Sequence, residues 1–522
     1  MCPQPDHHAR LIEGLLRPEA WPEPVAGIER IETHISTVLL VGEFAYKIKK
    51  PVDLGFLDFS TLARRKLFCE EELRLNGRLA PHIYLDAVPI TGTLEQPRVG
   101  GDGPAIDYAV KMRQFPADAL LSKQPERLNP QLIDEIAAKV ADFHGRIAVS
   151  DPTDGFGAPA AVFAPMEENF TQIRALLDDD QELLRLDRLL AWTREQHRLL
   201  QETLEQRRRG GFIRECHGDM HLGNIAMDGD EILIFDGIEF NPNLRWIDII
   251  NEVAFLFMDL EEKGRSDLAW RFLNVYIRYT GDFEALPLLR FYLVYRAMVR
   301  AKVAAIRSGQ AGLSPEEKRA LKAEYLAYVV QAEGYTRPSR PGLIINHGVS
   351  GSGKSTATIP LVGKLQAVRI RSDVERKRLA GLDPWAVTDS AVGQGIYSPG
   401  ATEKTYGRLL ELAEMVIKAG YVAIVDATFL RQVQRRPFYE LARRLAVSFL
   451  ILDFQAPEAM LRERIGLRLA AGADPSEANL EVLEMQLKGQ EPLTVDEMEV
   501  AIGITPELAL DEDAVEAYLA KS

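Results

Sequence analysis

Cysteine is scarce in this sequence, and neither a long apolar run nor an internal repeat is present. The 522 residues include three cysteines, Cys2, Cys69 and Cys216, and their odd number and wide spacing argue against a disulfide framework or a zinc site. No stretch of about 18 apolar residues is available to span a membrane. Glu13 interrupts the short N-terminal apolar run, unlike a signal peptide. We therefore expect a cytoplasmic protein.

Basic residues are also fewer than acidic residues. The 62 lysines and arginines against 77 aspartates and glutamates leave a formal net charge of -15, which argues against general nucleic-acid binding. We expect a small-molecule partner and a nucleotide, and no membrane partner. A local basic groove in the C-terminal domain stays open, as does the oligomeric state. The length predicts two or three domains rather than a single core.

The most informative stretch reads CHGDMHLGNIAMDGDEILIFDGIEF, residues 216–240. His217, Asp219 and Asn224 have the H-x-D-x-x-x-x-N spacing of a kinase catalytic loop, and Asp236 follows a short apolar run. In this arrangement Asp219 accepts the proton of an attacking hydroxyl, while Asn224 and Asp236 hold the magnesium ion. The alternative is structural, with His217 and Asp219 capping a turn and Asp236 ending a strand.

An earlier β-hairpin supplies candidate phosphate ligands. Residues 38–41 and 44–48 are rich in strand formers and are joined by Gly42, which predicts a tight turn. Alternation along the second strand places Lys47 and Lys49 on one face. Because a lysine of the third strand grips the α- and β-phosphates in a protein kinase, Lys47 is the candidate and Lys49 the alternative.

The next segment predicts a helix, capped by Ser60 or Thr61. Its apolar stripe has spacings of three, four and seven and consists of Leu67, Phe68, Leu75 and Leu79. Glu71 lies close to this stripe, where a carboxylate needs a partner. The kinase arrangement pairs a helix glutamate with the strand lysine, so we assign Glu71 to Lys47. Glu72 is the competitor, and a solvated acidic face is the alternative.

These residues together resemble the aminoglycoside phosphotransferase family, a branch of the protein-kinase-like fold, over about residues 25–305. His221, and Gly218 in the place of the kinase arginine, match that family better than protein kinases. No G-x-G-x-x-G precedes Lys47, and D-G-I replaces the D-F-G order at Asp236. The resemblance implies an α+β fold with a small strand-rich lobe and a helical lobe. It also implies ATP-dependent phosphorylation of a hydroxyl on a small molecule.

A second nucleotide site is predicted beyond residues 331–341, which contain two prolines and no apolar period and so indicate a linker. A short apolar strand precedes a full G-x-x-x-x-G-K-[ST] phosphate loop. Its candidate nucleotide ligands are Gly348, Gly351, Ser352, Gly353, Lys354, Ser355 and Thr356. Loop amides cradle phosphates at a helix N-terminus. Lys354 would reach the β- and γ-phosphates, and Ser355 would hold magnesium.

Two further strands of this region end in aspartates, Asp373 and Asp426, where ligands bind in open parallel sheets. Asp426 is the candidate Walker-B-type magnesium residue, and Asp373 the acceptor-side base or anchor, although either aspartate could cap a helix. The region resembles gluconate-kinase-like and polynucleotide-kinase-like P-loop kinases, of AAA type, over about residues 342–510. That resemblance implies a lid whose arginines close on the phosphoryl group, and Arg468, before the loop at 472–476, is its candidate.

The sequence thus predicts an N-terminal kinase domain over residues 1–330 and an α/β P-loop domain with a parallel sheet over 342–522. We predict a bifunctional phosphotransferase that uses ATP or GTP with Mg²⁺, each domain acting on a hydroxyl of a sugar, aminoglycoside-like or nucleoside-like molecule. One alternative is a nucleotide-sensing regulatory protein in which one domain binds ATP without transfer. Another is a nucleic-acid end kinase in the C-terminal domain.

Overall fold

The structure, a computed structural model, describes residues 5–25, 27–53, 55, 57–116, 118–310, 312–384, 386, 395–471 and 478–520. Cys2 and the predicted lid loop at 472–476 lie outside them. The chain divides into two compact units. The first comprises Met1–Leu128, Asp142–Asp259 and Tyr295–Tyr325, and the second Asn129–Ala141, Leu260–Val294 and Leu326–Ser522. No helix in the described ranges has the length and apolarity needed to cross a membrane.

The first unit contains a six-stranded antiparallel sheet in the order β1-β2-β3-β6-β4-β5. Its strands are β1 (Ile28–Glu32), β2 (Ser36–Val41), β3 (Phe44–Lys49), β4 (Tyr84–Gly92), β5 (Pro97–Val99) and β6 (Ala105–Arg113). The predicted hairpin is confirmed as β2 and β3, and Gly42 turns the chain with φ of +60°. Tyr46 and Ile48 pack into one hydrophobic core, so Lys47 and Lys49 project from the opposite face.

The helices that precede the second sheet cover about half of the chain between residues 5 and 335. They are α1 (Pro5–Leu15), α2 (Leu62–Asn76), α3 (Pro130–Arg146), α4 (Pro159–Arg174), α5 (Asp180–Arg209), α6 (Pro242–Arg245), α7 (Ile249–Glu262), α8 (Ser266–Thr280), α9 (Leu286–Ser308) and α10 (Pro315–Tyr335). Because α10 continues to Tyr335 and buries Ala332, the start of the predicted linker is helical. The predicted domain limits stay a prediction.

Helix α2 begins after Thr61, whose hydroxyl accepts a hydrogen bond from the Arg64 amide at 3.3 Å. The predicted apolar stripe is wrong at Leu67, which is 51% exposed. The side of α2 that is buried instead carries Arg65, Cys69, Glu72, Leu75 and Asn76. Polar residues with partners occupy part of this face, so a stripe identified from apolar residues alone found the buried Leu75 and Leu79 but misplaced Leu67.

Two short antiparallel pairs flank the predicted catalytic loop. They are β7 (Ile213–Glu215) with β10 (Trp246–Asp248), and β8 (Ile225–Asp228) with β9 (Glu231–Ile234). The loop 216–224 therefore begins at the end of β7 and ends at the start of β8, while Asp236 follows β9 directly. Both connections are held by strand pairing, which fixes where the candidate residues emerge.

The second unit contains a five-stranded parallel sheet in the order β12-β13-β11-β14-β15. The strands are β11 (Gly342–His347), β12 (Ala367–Arg371), β13 (Val422–Asp426), β14 (Ser448–Phe454) and β15 (Ala501–Ile504). The helices around them are α11 (Lys354–Ala357), α12 (Ile359–Lys364), α13 (Ser372–Leu379), α14 (Pro399–Lys418), α15 (Gln432–Leu445), α16 (Glu458–Ala471), α17 (Leu480–Gly489), α18 (Val495–Glu499) and α19 (Glu512–Ala520). The predicted fold class, α+β followed by α/β with a parallel sheet, is confirmed.

Candidate active sites

The predicted base and one predicted metal ligand lie side by side in the first unit. Asn224 Nδ2 donates to the Asp219 backbone oxygen at 2.9 Å and to Asp219 Oδ2 at 3.0 Å. The amide nitrogen is thereby turned towards Asp219, which places the amide oxygen on the other branch of the Asn224 side chain. The spacing of the motif thus brings a carboxylate and an amide together in one short loop.

His221 fixes the charge of Asp219. The Gly223 amide donates to His221 Nδ1 at 3.0 Å, so Nε2 carries the proton that faces Asp219 Oδ2 at 3.5 Å. Burial by itself raises the pKa of Asp219, but the proton that His221 Nε2 directs at the carboxylate, with smaller effects of His217 and Arg296, holds this pKa well below its ordinary value. Asp219 is therefore ionised at any physiological pH.

A layer of buried polar groups supports the loop from behind. His217 Nε2 donates to the Phe235 carbonyl at 2.9 Å, which ties the loop to the end of β9. The Gly218 amide donates to Glu252 Oε1 at 2.7 Å, and its carbonyl accepts from Arg296 at 3.0 Å. Arg296 also donates to Asn251 Oδ1 at 2.8 Å. His217 therefore contacts backbone, which assigns it an orienting position in this loop.

Lys47 of strand β3 forms ion pairs with a glutamate of helix α2 and with Asp236. Its Nζ lies 2.8 Å from Glu72 Oε1 and 2.6 Å from Asp236 Oδ1. The predicted pairing of Lys47 with Glu71 is wrong, because Glu72 lies on the buried side of α2, while Glu71 is turned away and pairs with Arg74 at 2.8 Å. Burial opposes the charge of Lys47, but the carboxylates of Asp236 and Glu72 raise its pKa well above the usual range.

The second strand lysine completes a network of Lys47, Lys49 and Glu72, the last two of which were predicted as alternatives, with Glu239, which was not predicted. Lys49 Nζ lies 2.6 Å from Glu72 Oε2 and also pairs with the buried carboxylate of Glu239. Burial alone raises the pKa of Glu72, but Lys47 and Lys49 lower it to about 2. Lys49 has no exposed side-chain surface, so it holds Glu72 in place and leaves Lys47 as the lysine that faces the site. The sequence feature that could have indicated this network is Glu239, which lies three residues after Asp236.

Asp236 has an unusual backbone. Its φ is +60°, in the left-handed region that costs a non-glycine residue roughly 1 kcal/mol or more. The Tyr84 hydroxyl accepts a hydrogen bond from the Asp236 amide at 3.1 Å, and Asn76 Oδ1 accepts from the Gly237 amide at 2.7 Å. These contacts hold the turn that directs the carboxylate towards Lys47, and strain of this kind is typical of functional positions.

A buried group behind the loop has the residue types of a metal site. His144, Cys216 and Glu252 place potential ligand atoms within 4.8 Å of one another. His144 Nε2 is hydrogen-bonded to Glu252 at 2.8 Å. Burial, with the charges of Glu252 and Asp248, raises the pKa of the Cys216 thiol well above its ordinary value, which disfavours the thiolate that a metal requires. The prediction that no zinc site is present stays a prediction.

In the second unit the glycine-rich loop follows β11. Gly348 has φ of +140°, and a Cβ there would lie 2.6 Å from the Phe454 carbonyl, so a side chain cannot be accommodated. Lys354 Nζ donates to the Val349 carbonyl at 2.6 Å. Burial lowers the pKa of Lys354 to about 8, against the opposing charges of Asp426 and Asp373. One loop amide, that of Ser350, donates to Gln486 Oε1 at 2.7 Å.

Asp426 and Ser355, the two residues predicted to act on magnesium in this unit, are in contact. The Ser355 hydroxyl donates to Asp426 Oδ2 at 2.9 Å, and Asn346 Nδ2 donates to Oδ1 at 3.1 Å. Arg369 of the neighbouring strand also pairs with Oδ2, which sequence reasoning missed. Burial alone raises the pKa of Asp426, but Arg369 and then Arg371 hold it well below its usual range.

A cavity of about 1080 Å³ opens over the loop. It is lined by the predicted phosphate-loop residues from Gly351 to Thr356, by Asp373, Asp426 and Arg468, and by the unpredicted Arg376 and Arg464. Arg468 donates to the Ala478 carbonyl at 2.6 Å, and Arg464 approaches the Gly351 carbonyl at 3.4 Å. The geometry therefore brings most of the predicted residues of the second site to one opening, with several arginines in its lining, whereas Gly348 is not part of the lining.

Known protein families match the N-terminal and C-terminal parts of the chain separately. Residues 57–286 match the Phosphotransferase enzyme family, and residues 343–493 match an AAA domain. Uncharacterized proteins of Mycobacterium bovis and Mycobacterium tuberculosis are each 30% identical over 451 residues, which cover 85% of this chain and 86% of theirs. The chain belongs to their family. It joins a domain resembling aminoglycoside phosphotransferases to a P-loop domain of kinase type, and both support phosphotransfer in general.

Solved structures are more distant. An amicoumacin kinase in complex with AMP-PNP is 16% identical, with a TM-score of 0.39, over 63% of this chain and 96% of its own. A gluconokinase from Sinorhizobium meliloti is 20% identical, with a TM-score of 0.24, over 35% of this chain and 92% of its own.

Proposed function

We propose that the chain is a bifunctional phosphotransferase, in which each site transfers the γ-phosphoryl group of ATP or GTP to a hydroxyl of a small molecule. One observation carries the proposal. Each unit holds a lysine able to bind phosphate and carboxylates with oxygen-bearing partners. In the first unit Lys47 pairs with Asp236, and Asp219 is bonded to Asn224. In the second, Lys354, Asp426 and Ser355 line one cavity. Two such sets in one chain favour two transfer reactions.

In the first site, Asp219 accepts a hydrogen bond from the acceptor hydroxyl and orients its oxygen towards the γ-phosphorus. The new oxygen–phosphorus bond forms as the bond to the β-phosphate oxygen breaks, and the nucleoside diphosphate leaves. Because the pKa of Asp219 lies below its ordinary value, the proton moves to it late, after the hydroxyl oxygen has begun to bond to phosphorus. Lys47 neutralises phosphate charge, and Glu72 keeps its ammonium in position.

In the second site, the amides after Gly348 and the ammonium of Lys354 bind the phosphates. Asp373, at the start of α13, faces the same cavity and is placed to orient the acceptor. Arg468 and Arg464 approach from α16 and would balance charge on the transferring group. The second candidate function, a nucleic-acid end kinase, has no specific observation in its favour, and the small-molecule acceptor is the proposal.

The residues present fit magnesium. Mg²⁺ prefers oxygen ligands and keeps several waters, so one or two protein oxygens with nucleotide phosphates suffice. Asn224 and Asp236 offer an amide oxygen and a carboxylate in the first site, and Ser355 and Asp426 a hydroxyl and a carboxylate in the second. When bound, the ion would neutralise charge that develops on the phosphates.

The test uses the full chain with two single variants, Asp219→Asn and Lys354→Ala. Transfer of labelled phosphate from ATP or GTP is measured over sugars, aminoglycosides, nucleosides and oligonucleotides. We expect Asp219→Asn to lose at least about a hundredfold of the rate for one group of acceptors. Lys354→Ala should lose the rate for another group. Matched controls are Asp228→Asn and Lys418→Ala, because both side chains are on exposed residues away from the sites.

The outcomes separate the candidate functions. If neither variant changes transfer to any accepted acceptor, the two-site proposal is wrong. Nucleotide binding without transfer at one site would support the regulatory alternative for that unit. Transfer to oligonucleotide ends that Lys354→Ala abolishes would replace the small-molecule acceptor of the second site with a nucleic acid.

A further inference from the structure

Helix α17 contacts the phosphate loop of the second unit through one glutamine. The amide of Ser350, the third residue of the loop, donates to Gln486 Oε1 at 2.7 Å. Both residues line the cavity of about 1080 Å³. Loop amides are the groups that bind phosphate oxygens, so this contact places a side-chain oxygen on one of them. Gln486 belongs to none of the motifs that predicted the site.

One peptide group connects Gln486 with Lys354. The Val349 carbonyl accepts a hydrogen bond from Lys354 Nζ at 2.6 Å, and the N–H of the same trans peptide, that of Ser350, donates to Gln486. Because the carbonyl and the N–H of a trans peptide point in opposite directions, the lysine and the glutamine approach it from its two sides. Lys354 and Gln486 therefore belong to the same end of the phosphate loop.

This contact also fixes the orientation of the Gln486 amide. A backbone N–H can only donate, so the atom that faces Ser350 must be the oxygen, and the nitrogen occupies the other branch of the side chain. No described residue accepts a hydrogen bond from Gln486 Nε2, and this atom is not buried. The glutamine therefore offers accessible N–H donors beside the loop.

Buried neighbours hold the glutamine in this position. Leu483, three residues before Gln486 on α17, is fully buried in a nonpolar cluster that contains Val349 of the loop and Ile465 of α16. Helix α16 approaches the loop so closely that a Cβ at Gly351 would lie 3.2 Å from the Ile465 side chain. The Gln486 amide is thus fixed against the loop by the packing of two helices.

The place of this donor on the loop indicates its partner. Amides of a phosphate loop cradle the α- and β-phosphates, whereas the loop lysine reaches the β- and γ-phosphates. Gln486 shares a peptide group with Lys354 at the start of the loop, away from the helix end that carries Ser355. Among the described residues, neither carboxylate of the cavity lining, Asp373 or Asp426, is bonded to Gln486. Its N–H groups are therefore placed for the terminal phosphate.

We propose that Gln486 is a further nucleotide-binding residue of the second site, whose Nε2 donates to the terminal phosphate of a nucleoside triphosphate while Oε1 stays on the Ser350 amide. The inference rests on the nucleotide-binding part of the proposed function and does not depend on the acceptor. A diphosphate has no group at this position, so the contact favours the triphosphate substrate over the diphosphate product. Its loss after transfer therefore assists release of the product.

Two substitutions distinguish this role from a purely structural one. Gln486→Glu keeps an oxygen for the Ser350 amide but replaces the N–H donors with a negative oxygen. Gln486→Met has a similar length and removes both interactions. A residue that only positions the loop should tolerate glutamate better than methionine. A phosphate ligand should tolerate methionine better, because the glutamate repels the phosphate.

The test is calorimetry of a non-hydrolysable ATP analogue and of ADP, each with Mg²⁺, on the full-length Lys47→Met chain, in which the first site is impaired. We expect Gln486→Met to weaken binding of the analogue about tenfold, because a hydrogen bond to a charged group is lost, and Gln486→Glu to weaken it about a hundredfold. Binding of ADP should change by less than about twofold in Gln486→Met, and in Gln486→Glu it should weaken much less than binding of the analogue.

The matched controls are Gln490→Met and Gln490→Glu. Gln490 follows the last residue of α17, is exposed and lies outside the cavity lining. Neither control should change the affinity for either nucleotide by more than about twofold. The midpoint of thermal unfolding is measured for every variant. If Gln486→Met does not fold, Gln486→Glu still decides, through the difference between the analogue and ADP.

Equal losses for the analogue and ADP, or weaker binding in Gln486→Met than in Gln486→Glu, would overturn the proposal and leave the proposed function intact. Unchanged affinity of the Gln486→Glu variant for the analogue would do the same. If the parent Lys47→Met chain binds neither nucleotide, the second nucleotide site of the proposed function is wrong, and this inference with it.

Discussion

The two lysines proposed to bind phosphate differ in their charged partners and in the direction of their pKa shifts. Lys47 is held by the carboxylates of Asp236 and Glu72, which raise its pKa, whereas Lys354 donates to a backbone carbonyl and burial lowers its pKa to about 8. In the first unit the two strand lysines already contact three carboxylates, Glu72, Asp236 and Glu239, before a nucleotide arrives. In the second the lysine has only distant carboxylates, and the carboxylate of Asp426 is taken by arginine.

This difference indicates how each site would respond to change. A network of buried ion pairs depends on each member, because each carboxylate helps to hold a lysine in position. A lysine that lacks a carboxylate partner instead depends on pH and on the phosphates themselves. Activity of the first site should therefore depend strongly on substitution of these residues and little on a rise of pH above 7. Nucleotide binding at the second site should depend strongly on such a rise and less on substitution.

The largest effect is expected at Glu72. The Glu72→Gln variant removes the carboxylate that contacts both Lys47 and Lys49, while Asp236 and Glu239 remain. Because Lys47 loses the partner that positions it, transfer by the first site should fall by more than about a hundredfold. The neighbouring Glu71→Gln is the matched control, since Glu71 pairs with Arg74 near the surface, and it should change the rate by less than about threefold. Rates of phosphate transfer for both variants check this, and equal losses would contradict it.

The Glu71 assignment shows where sequence reasoning reaches its limit. The hairpin, the loop from His217 to Asn224, the phosphate loop and the strand-end aspartates could be predicted, because each depends on residues close in sequence. The rotation of α2 could not, because its buried face carries Arg65 and Glu72, whose partners come from distant strands. A hydrophobic pattern does not reveal a buried polar face.

The arginines of β12 were missed for a related reason. Arg369 and Arg371 carry no motif, and alternating charge on a short strand is typical of a solvated edge. Only the packing of β12 beside β13 brings them to Asp426, through the pairing of Arg371 with Asp426 in register. Long-range contacts of this kind are set by topology, which one sequence does not specify.

The second prediction concerns Asp373, the candidate base of the second site. Asp373→Asn should lower the transfer rate of the second site about a hundredfold, since it removes a carboxylate that faces the cavity, while nucleotide affinity stays the same. The matched control is Asp383→Asn, an exposed residue outside the cavity lining. Steady-state rates and nucleotide dissociation constants are measured together. A loss of affinity with unchanged maximal rate would place Asp373 on the nucleotide instead.

The third prediction concerns pH. Nucleotide phosphates bind the protonated form of Lys354, and this form is lost as the pH rises through about 8. Affinity of the second site for a non-hydrolysable ATP analogue should therefore fall about tenfold between pH 7 and pH 9. The Lys47→Met variant isolates this site for calorimetry. In Lys354→Ala, which leaves the first site, affinity should be nearly constant over this range, because the pKa of Lys47 is raised. A parallel fall at both sites would contradict the comparison.

The smallest effect is expected for a substitution at a residue that has left-handed backbone conformation but lies outside both candidate sites. The first unit has this conformation at Asp236, within the candidate site, whereas Ala446 ends helix α15 in the second unit with φ of +53°. Glycine adopts this conformation without the penalty that a Cβ brings, so Ala446→Gly should raise the free energy of unfolding by roughly 1 kcal/mol. Calorimetry should show a higher midpoint, with transfer rates unchanged. The exposed Ala520, at the end of α19, provides the control variant Ala520→Gly, and a gain there of equal size would remove the explanation.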